Sequence, residues 1–145
     1  MDSLTYFLEV RNKYYKMKIV EDEIKELEDL SRRAGAMDYS KEYVQTGEEI
    51  KEPAFVKALD KVDEKVLKYR KLLEEYTDYR SEANDRLYKH IKDGLNAQIL
   101  YLKFFKFMTL EQISRRVHLS FEAVRARYRR TMRECDRIRI WEDNK

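Results

Sequence analysis

The sequence predicts an all-α fold, with a long N-terminal antiparallel helical hairpin of coiled-coil-like character followed by a shorter C-terminal helical unit. The 145 residues include only three glycines and one proline, which permits long helices and disfavours a turn-rich β fold. Hydrophobic residues make up 43% and charged residues 41%, as is typical of amphipathic helices with solvated outer faces. Apolar residues recur at three- and four-residue intervals through most of the chain.

The first predicted helix covers roughly residues 4–33. Its apolar spacing is regular except for a slip in phase near Lys18. The residues on this stripe are Phe7, Val10, Tyr14, Met17, Val20, Ile24, Leu27 and Leu30. A connector is predicted over residues 34–53, where Gly35, Gly47 and Pro53 occur.

The second predicted helix begins near Pro53 and runs to about residue 92. Its apolar positions follow a coiled-coil spacing that only Arg80 interrupts. They are Phe55, Leu59, Val62, Val66, Tyr69, Leu73, Tyr76, Ala83, Leu87 and His90. The first helix, folded back antiparallel, is the natural partner of this stripe. A second copy of the chain would use the same face, so a homodimer through the hairpin stays open.

Asp93-Gly94 should break the helix, which divides the chain into a stalk of residues 1–93 and a C-terminal domain of residues 94–145. The domain opens with a short apolar helix. Its apolar residues are Leu95, Ile99, Leu100, Leu102, Phe104, Phe105 and Phe107. A helix that is apolar on most sides must be buried, so we expect it at the centre of the C-terminal unit.

Two further helices are predicted from their caps. Thr109 and Gln112 form a T-x-x-Q capping box that starts a helix at residue 110, with Leu110, Ile113 and Val117 facing inward. Val117-His118-Leu119 makes a turn, and Ser120 caps the next helix, predicted over residues 120–137. Its buried positions should be Val124, Tyr128, Thr131 and Cys135. The spacing of the two helix starts suits a helix-turn-helix.

Positive charge is concentrated at the C-terminal end. Residues 95–145 hold twelve Lys and Arg against six Asp and Glu, although the whole chain has a net charge of only +3. Arginine pairs bidentately with phosphate or guanine, so this end predicts a DNA-binding surface. The predicted base-contacting residues are Phe121, Glu122, Arg125, Ala126 and Arg129. The predicted phosphate-contacting residues are Arg115, Arg116, Arg127 and Arg130.

The stretch LNAQILYLKFFKFMTLEQISRRVHLSFEAVRARYRRTM resembles region 4 of bacterial sigma-70 factors. The resemblance lies in Leu110–Ser114 and Leu119–Arg125, with Ser114 and Thr131 where that pattern usually has alanine. The upstream segment DYSKEYVQTGEEIKEP is similar to small phage proteins of Gram-positive bacteria, related to the RinA/ArpU-like regulators. This resemblance implies a phage-encoded regulator with a sigma-region-4-like helix-turn-helix, without the rest of a sigma factor.

Several function classes are disfavoured by the sequence. Cys135 is the only cysteine, so neither an intramolecular disulfide nor a cysteine-based metal cluster can form. The chain has no Gly-rich phosphate loop and no catalytic constellation, and we expect neither an enzyme nor a cofactor. The N-terminus lacks a signal-peptide pattern, and no apolar run is long enough for a bilayer. We therefore expect a cytoplasmic protein of a bacterial host cell, with no membrane partner.

Two functional hypotheses follow. The first is a sequence-specific DNA-binding transcriptional regulator of phage or prophage genes, whose helix 120–137 enters the major groove of double-stranded DNA and whose stalk dimerises or contacts RNA polymerase. The second is a phage protein-interaction module that binds host RNA polymerase or another host protein, as an inhibitor or host-takeover factor, without reading DNA. The salt dependence of duplex binding separates them.

Overall fold

The structure, a computed structural model, describes residues 1–38 and 54–142, with side chains described over residues 1–33 and 56–142. That part of the chain contains helices and no strand, which confirms the predicted all-α class. The five helices are α1 (Ser3–Asp38), α2 (Ala54–His90), α3 (Gly94–Phe104), α4 (Leu110–Val117) and α5 (Phe121–Ile138). The helix α1 extends to Asp38, into the predicted connector, whereas residues 39–53 of that connector lie outside the described residues.

The chain forms two compact units, and they do not coincide with the predicted division at residues 93 and 94. Unit 1 combines Met1–Tyr14 with Glu75–Lys145, and unit 2 is Tyr15–Glu74. The start of α1 and the end of α2 therefore belong with the C-terminal helices. Their apolar residues pack around α3 and α5, which a pattern of burial along one helix does not reveal.

The first core cluster of unit 1 joins all three regions of sequence. The ring of Phe7 on α1 stacks on that of Phe104 on α3 at 5.0 Å between centroids. Hydrogen bonds join the same regions of sequence. The Ser3 amide donates to Asp136 Oδ1 at 2.8 Å, and the Tyr79 hydroxyl donates to the Tyr6 carbonyl at 2.7 Å. The buried members are Tyr6, Phe7, Val10, Ala83, Leu87, Ile91, Leu100, Phe104, Phe105, Cys135 and Ile140.

The second core cluster of unit 1 lies among the last three helices. Its fully covered residues are Ile99 and Leu102 on α3, Ile113 on α4 and Val124 on α5. Half-buried residues complete it, among them Leu95, Leu110, Val117 and Tyr128. The burial of Ile113, Val124, Thr131 and Cys135 confirms their predicted inward positions, and α3 contacts both clusters as expected of an apolar helix.

Unit 2 contains α1 from Tyr15 onward and α2 as far as Glu74. Met17 and Val20 are buried on α1, and Glu23 forms an ion pair with Lys65 of α2. The apolar stripe of α2 is covered only in part. Leu59 is 47% exposed and Leu73 38% exposed, although both were predicted to lie in the seam, whereas Leu72 is half-buried. An α-helix has 3.6 residues per turn, so a strict seven-residue pattern drifts away from the contact line.

Candidate nucleic-acid interface

The helix α4 is fixed at its start by the predicted capping box. The Gln112 amide donates to Thr109 Oγ1 at 3.2 Å, and the Thr109 amide donates to Gln112 Oε1 at 3.0 Å. Two backbone donors that the helix itself leaves unpaired are satisfied in this way. The predicted box is therefore confirmed, and α4 begins at Leu110.

The turn between α4 and α5 is built from His118 to Ser120. His118 adopts a left-handed conformation with φ 58° and ψ 40°, and the Leu119 amide donates to the Ser114 carbonyl at 3.0 Å. Ser120 then caps α5, since its Oγ accepts a hydrogen bond from the Ala123 amide at 3.1 Å. The described helix Phe121–Ile138 lies one residue beyond the predicted range of 120–137.

The helix α5 has one buried side and one exposed side. Val124, Thr131 and Cys135 are buried, and burial raises the pKa of the Cys135 thiol to about 12. The five predicted base-contacting residues are all exposed: Phe121, Glu122, Arg125, Ala126 and Arg129. At 3.6 residues per turn they cover an arc of about 140° on the side away from the core.

The four predicted phosphate-contacting arginines differ in their surroundings. Arg115, Arg116 and Arg130 are exposed. Arg127 is half-buried, and its Nη1 donates to Asn96 Oδ1 at 3.2 Å and lies 3.7 Å from Asp93 Oδ2. Its guanidinium therefore links α5 to the start of α3, an intramolecular role that the sequence pattern did not indicate.

Most exposed arginines of α4 and α5 have no carboxylate partner among the described residues, and Arg137, which pairs with Glu134, is the exception. Over residues 1–33 and 56–142, no ion pair involves any of six exposed arginines, namely Arg115, Arg116, Arg125, Arg129, Arg130 and Arg133. Their positive charge is not offset by a carboxylate within the described chain, so it is available to an anionic partner.

A feature that sequence reasoning missed lies beside α5. An open cleft of about 770 Å³ separates the second half of α5 from the junction of α2 and α3. Lys92 lines it together with Arg130 and Arg137. The signal in the sequence was the basic pair His90 and Lys92, which the predicted boundary at residue 93 assigned to the stalk.

Over residues 1–33 and 56–142, no group of three or more His, Cys, Asp or Glu side chains could hold a metal ion. None of the described helices combines the length and apolar character that a transmembrane span needs.

Comparison with known proteins identified no relative. No protein-family model matches the sequence, and neither a curated protein nor a solved structure is significantly similar to the chain.

Proposed function

We propose that the chain is a sequence-specific DNA-binding transcriptional regulator of phage or prophage genes, with α5 lying in the major groove. The observation that carries the proposal is the exposed arc of α5, where Arg125 and Arg129 form no ion pair within the described residues. Both side chains lie beside small or apolar neighbours, Phe121 and Ala126. Arginine reads guanine bidentately, and apolar groups contact the thymine methyl, so this mixture suits base recognition.

The way in which α5 is held supports the proposal. Its first turn is capped by Ser120, and its buried side packs on Ile113 of α4 and Ile99 of α3. A helix that reads bases must present its side chains in a fixed orientation, which these contacts provide. Arg115, Arg116 and Arg130 are the proposed phosphate contacts, because they are exposed and form no ion pair among the described residues. The resemblance to sigma region 4 points in the same direction.

The first experiment selects bound duplexes from a random pool and measures their affinity in about 50 and 200 mM salt. With three phosphate contacts in a monomer, or six in a dimer, the counterion-release slope predicts a loss of roughly 40-fold or roughly 2000-fold between these salts. Absent binding, or binding that salt does not weaken, would contradict the proposal.

Variants then test which arginines contact bases and which contact phosphates. Arg125→Ala should cost about 1–3 kcal/mol on the selected site and relax preference at one base pair. Arg116→Ala should weaken selected and random duplexes alike. Arg70→Ala is the matched control, since it removes an exposed arginine from unit 2 and should leave binding unchanged. Equal losses on both duplexes for Arg125→Ala and Arg116→Ala would refute the assignment of base and phosphate contacts.

The alternative function is a protein-interaction module that binds RNA polymerase or another host protein. One observation favours it: a cleft of about 410 Å³ between α2 and α3, bordered by Leu87, Ile91 and Tyr101 and by Tyr88, which is 72% exposed. Large exposed aromatic side chains are common in protein interfaces. If Tyr88→Ala abolished capture of purified polymerase while no duplex was selected, the alternative would replace the first proposal.

A homodimer through the long helices is the proposed mode of self-association. It is supported by Leu59 and Leu73, which stay exposed at heptad positions of α2 in unit 2. Sedimentation equilibrium should show a dimer that Leu73→Glu converts to a monomer. Leu67→Glu, at an exposed position outside that stripe, is the control and should leave the dimer intact.

A further inference from the structure

The cleft beside α5 is a second basic surface in unit 1. One wall is the second half of α5, where Arg130 and Arg137 lie, and the other comes from Lys92 and Asn96 at the junction of α2 and α3. Its volume of about 770 Å³ exceeds what one phosphate group fills, so a phosphate could enter with its hydrating waters.

The charges in the cleft leave an excess of cations on its walls. Two carboxylates line it, and each already faces an arginine: Asp93 lies 3.7 Å from Arg127, and Glu134 accepts hydrogen bonds from Arg137. Within the described chain, Lys92 forms no ion pair. Arg130 likewise forms no ion pair there, and its Nε donates only to the Ala126 carbonyl at 3.4 Å. Lys92 and Arg130 therefore give the cleft a positive charge that a ligand would neutralise.

The backbone at the start of α3 does not supply the anion site. Asp93 caps this helix, because its Oδ1 accepts hydrogen bonds from the amides of Leu95 at 3.0 Å and Asn96 at 3.1 Å. A carboxylate already occupies the place that a phosphate would take at a bare helix N-terminus. An anion in the cleft would have to be bound by side chains, of which Lys92 and Arg130 are available.

The cleft lies next to the exposed arc of α5 that holds the proposed base-contacting residues. Counted at 3.6 residues per turn, Arg130 lies about 40° past Ala126, where the exposed arc of base-contacting residues ends. A helix in the major groove has a sugar-phosphate backbone along each edge of that groove. The edge of the arc is thus where a backbone phosphate would meet the protein.

We infer that this cleft seats a phosphodiester group of the DNA strand beside α5, with Lys92 as a phosphate-contacting residue together with Arg130. The inference rests on the proposed DNA-binding function. It extends the interface beyond α4 and α5 to the end of α2. Contacts of this kind fix the register of a protein on the duplex without reading its sequence.

The test uses the full chain and a selected duplex. Lys92→Ala should reduce the magnitude of the salt slope by about 0.9, as the loss of one phosphate contact requires, and should weaken random DNA equally. Lys89→Ala is the matched control, because this exposed lysine lines a separate depression with Asp78, Glu82 and Asp85. It should leave the slope unchanged.

A second arm locates the phosphate. Single methylphosphonate groups, which are uncharged, replace each phosphate of the duplex in turn. At one position the uncharged group should weaken binding of wild type more than binding of Lys92→Ala, because only Arg130 still contacts that phosphate in the variant. This pairing identifies a direct contact even if Lys92→Ala also disturbs the fold slightly.

Three outcomes distinguish failure of the cleft assignment, a site for free phosphate, and failure of the proposed DNA-binding function. An unchanged slope, together with equal losses for wild type and Lys92→Ala at every substituted phosphate, would overturn the cleft assignment while leaving DNA binding in place. If inorganic phosphate bound wild type but not Lys92→Ala in the absence of DNA, while Lys92→Ala left the salt slope of DNA binding unchanged, the cleft would be a site for free phosphate instead. If wild type selected no duplex at all, the proposed function and this inference would both be wrong.

Discussion

Arg127 should stabilise the fold of unit 1 rather than contact DNA, and Arg127→Ala tests this. The substitution removes the hydrogen bond from Arg127 Nη1 to Asn96 Oδ1 at 3.2 Å and the ion pair with Asp93 at 3.7 Å. A hydrogen bond of this kind contributes about 1 kcal/mol net. The ion pair adds only about 0.2–0.5 kcal/mol, because the side chain of Asp93 is 53% exposed and water screens the pair. The free energy of unfolding should therefore fall by about 1–2 kcal/mol.

The fluorescence of Trp141 provides the assay. It is the only tryptophan of the chain and packs against the first core cluster, so its emission reports on unit 1 during urea unfolding. Arg125→Ala is the matched control, because this exposed arginine should change the unfolding free energy by less than about 0.5 kcal/mol. In a double-mutant cycle, Arg127→Ala and Asn96→Ala should be coupled by about 0.5–1 kcal/mol.

A different result would return Arg127 to the predicted phosphate-contacting residues. If Arg127→Ala unfolded at the same urea concentration as wild type and reduced the salt slope of DNA binding as Arg116→Ala does, the intramolecular bond would contribute nothing measurable. Strict additivity with Asn96→Ala would refute the contact itself.

Three further predictions concern the turn, the ionisation of a buried phenol and the extent of the folding unit. His118→Gly should raise the free energy of unfolding by about 1 kcal/mol, because the left-handed conformation at φ 58° penalises residues with a Cβ. Val117→Gly, inside α4, is the control and should lower the free energy of unfolding, and urea unfolding measures both variants. Burial raises the pKa of Tyr79 above its ordinary value of 10.0, so its contribution to stability is complete below that pH and is lost as the pH rises above it. Urea midpoints should fall above about pH 10, and Tyr79→Phe, which loses the bond to the Tyr6 carbonyl, should reduce that fall; an identical decline in both proteins would disprove the role of Tyr79. A fragment of residues 94–145 should show no cooperative thermal transition by circular dichroism, because it lacks the α1 and α2 side chains that cover Phe104 and Ile140; a melt like that of the full chain would show the opposite.

Local chemistry made much of the C-terminal unit predictable. The caps at Thr109 and Ser120 depend on side chains three residues from their partners, and the burial of Val124, Thr131 and Cys135 follows from helical spacing. These patterns involve residues within one or two helical turns of each other, so the sequence alone is enough to predict them.

Contacts between distant parts of the chain could not be derived in the same way. A stripe of apolar residues shows which side of a helix is buried, but not which partner buries it. The stacking of Phe7 on Phe104 joins residues far apart in sequence, and nothing in the spacing of either helix selects that pair. Arg127 and Arg130 have the same side chain, and the nearby Asn96 and Asp93 distinguish the half-buried one from the exposed one.

These long-range contacts bear on α5, the helix proposed to read DNA. The Ser3 amide bonds to Asp136 near the end of α5, and Arg86 on α2 donates to the carbonyls of Ile140 and Trp141 just beyond it. The C-terminal end of α5 is therefore held by both long helices, while Ser120 fixes its start. A helix supported at both ends can hold its exposed arginines in one orientation before DNA binds. This lowers the entropic cost of ordering those side chains on binding. For this reason the start of α1 and the end of α2 belong to the proposed DNA-binding unit.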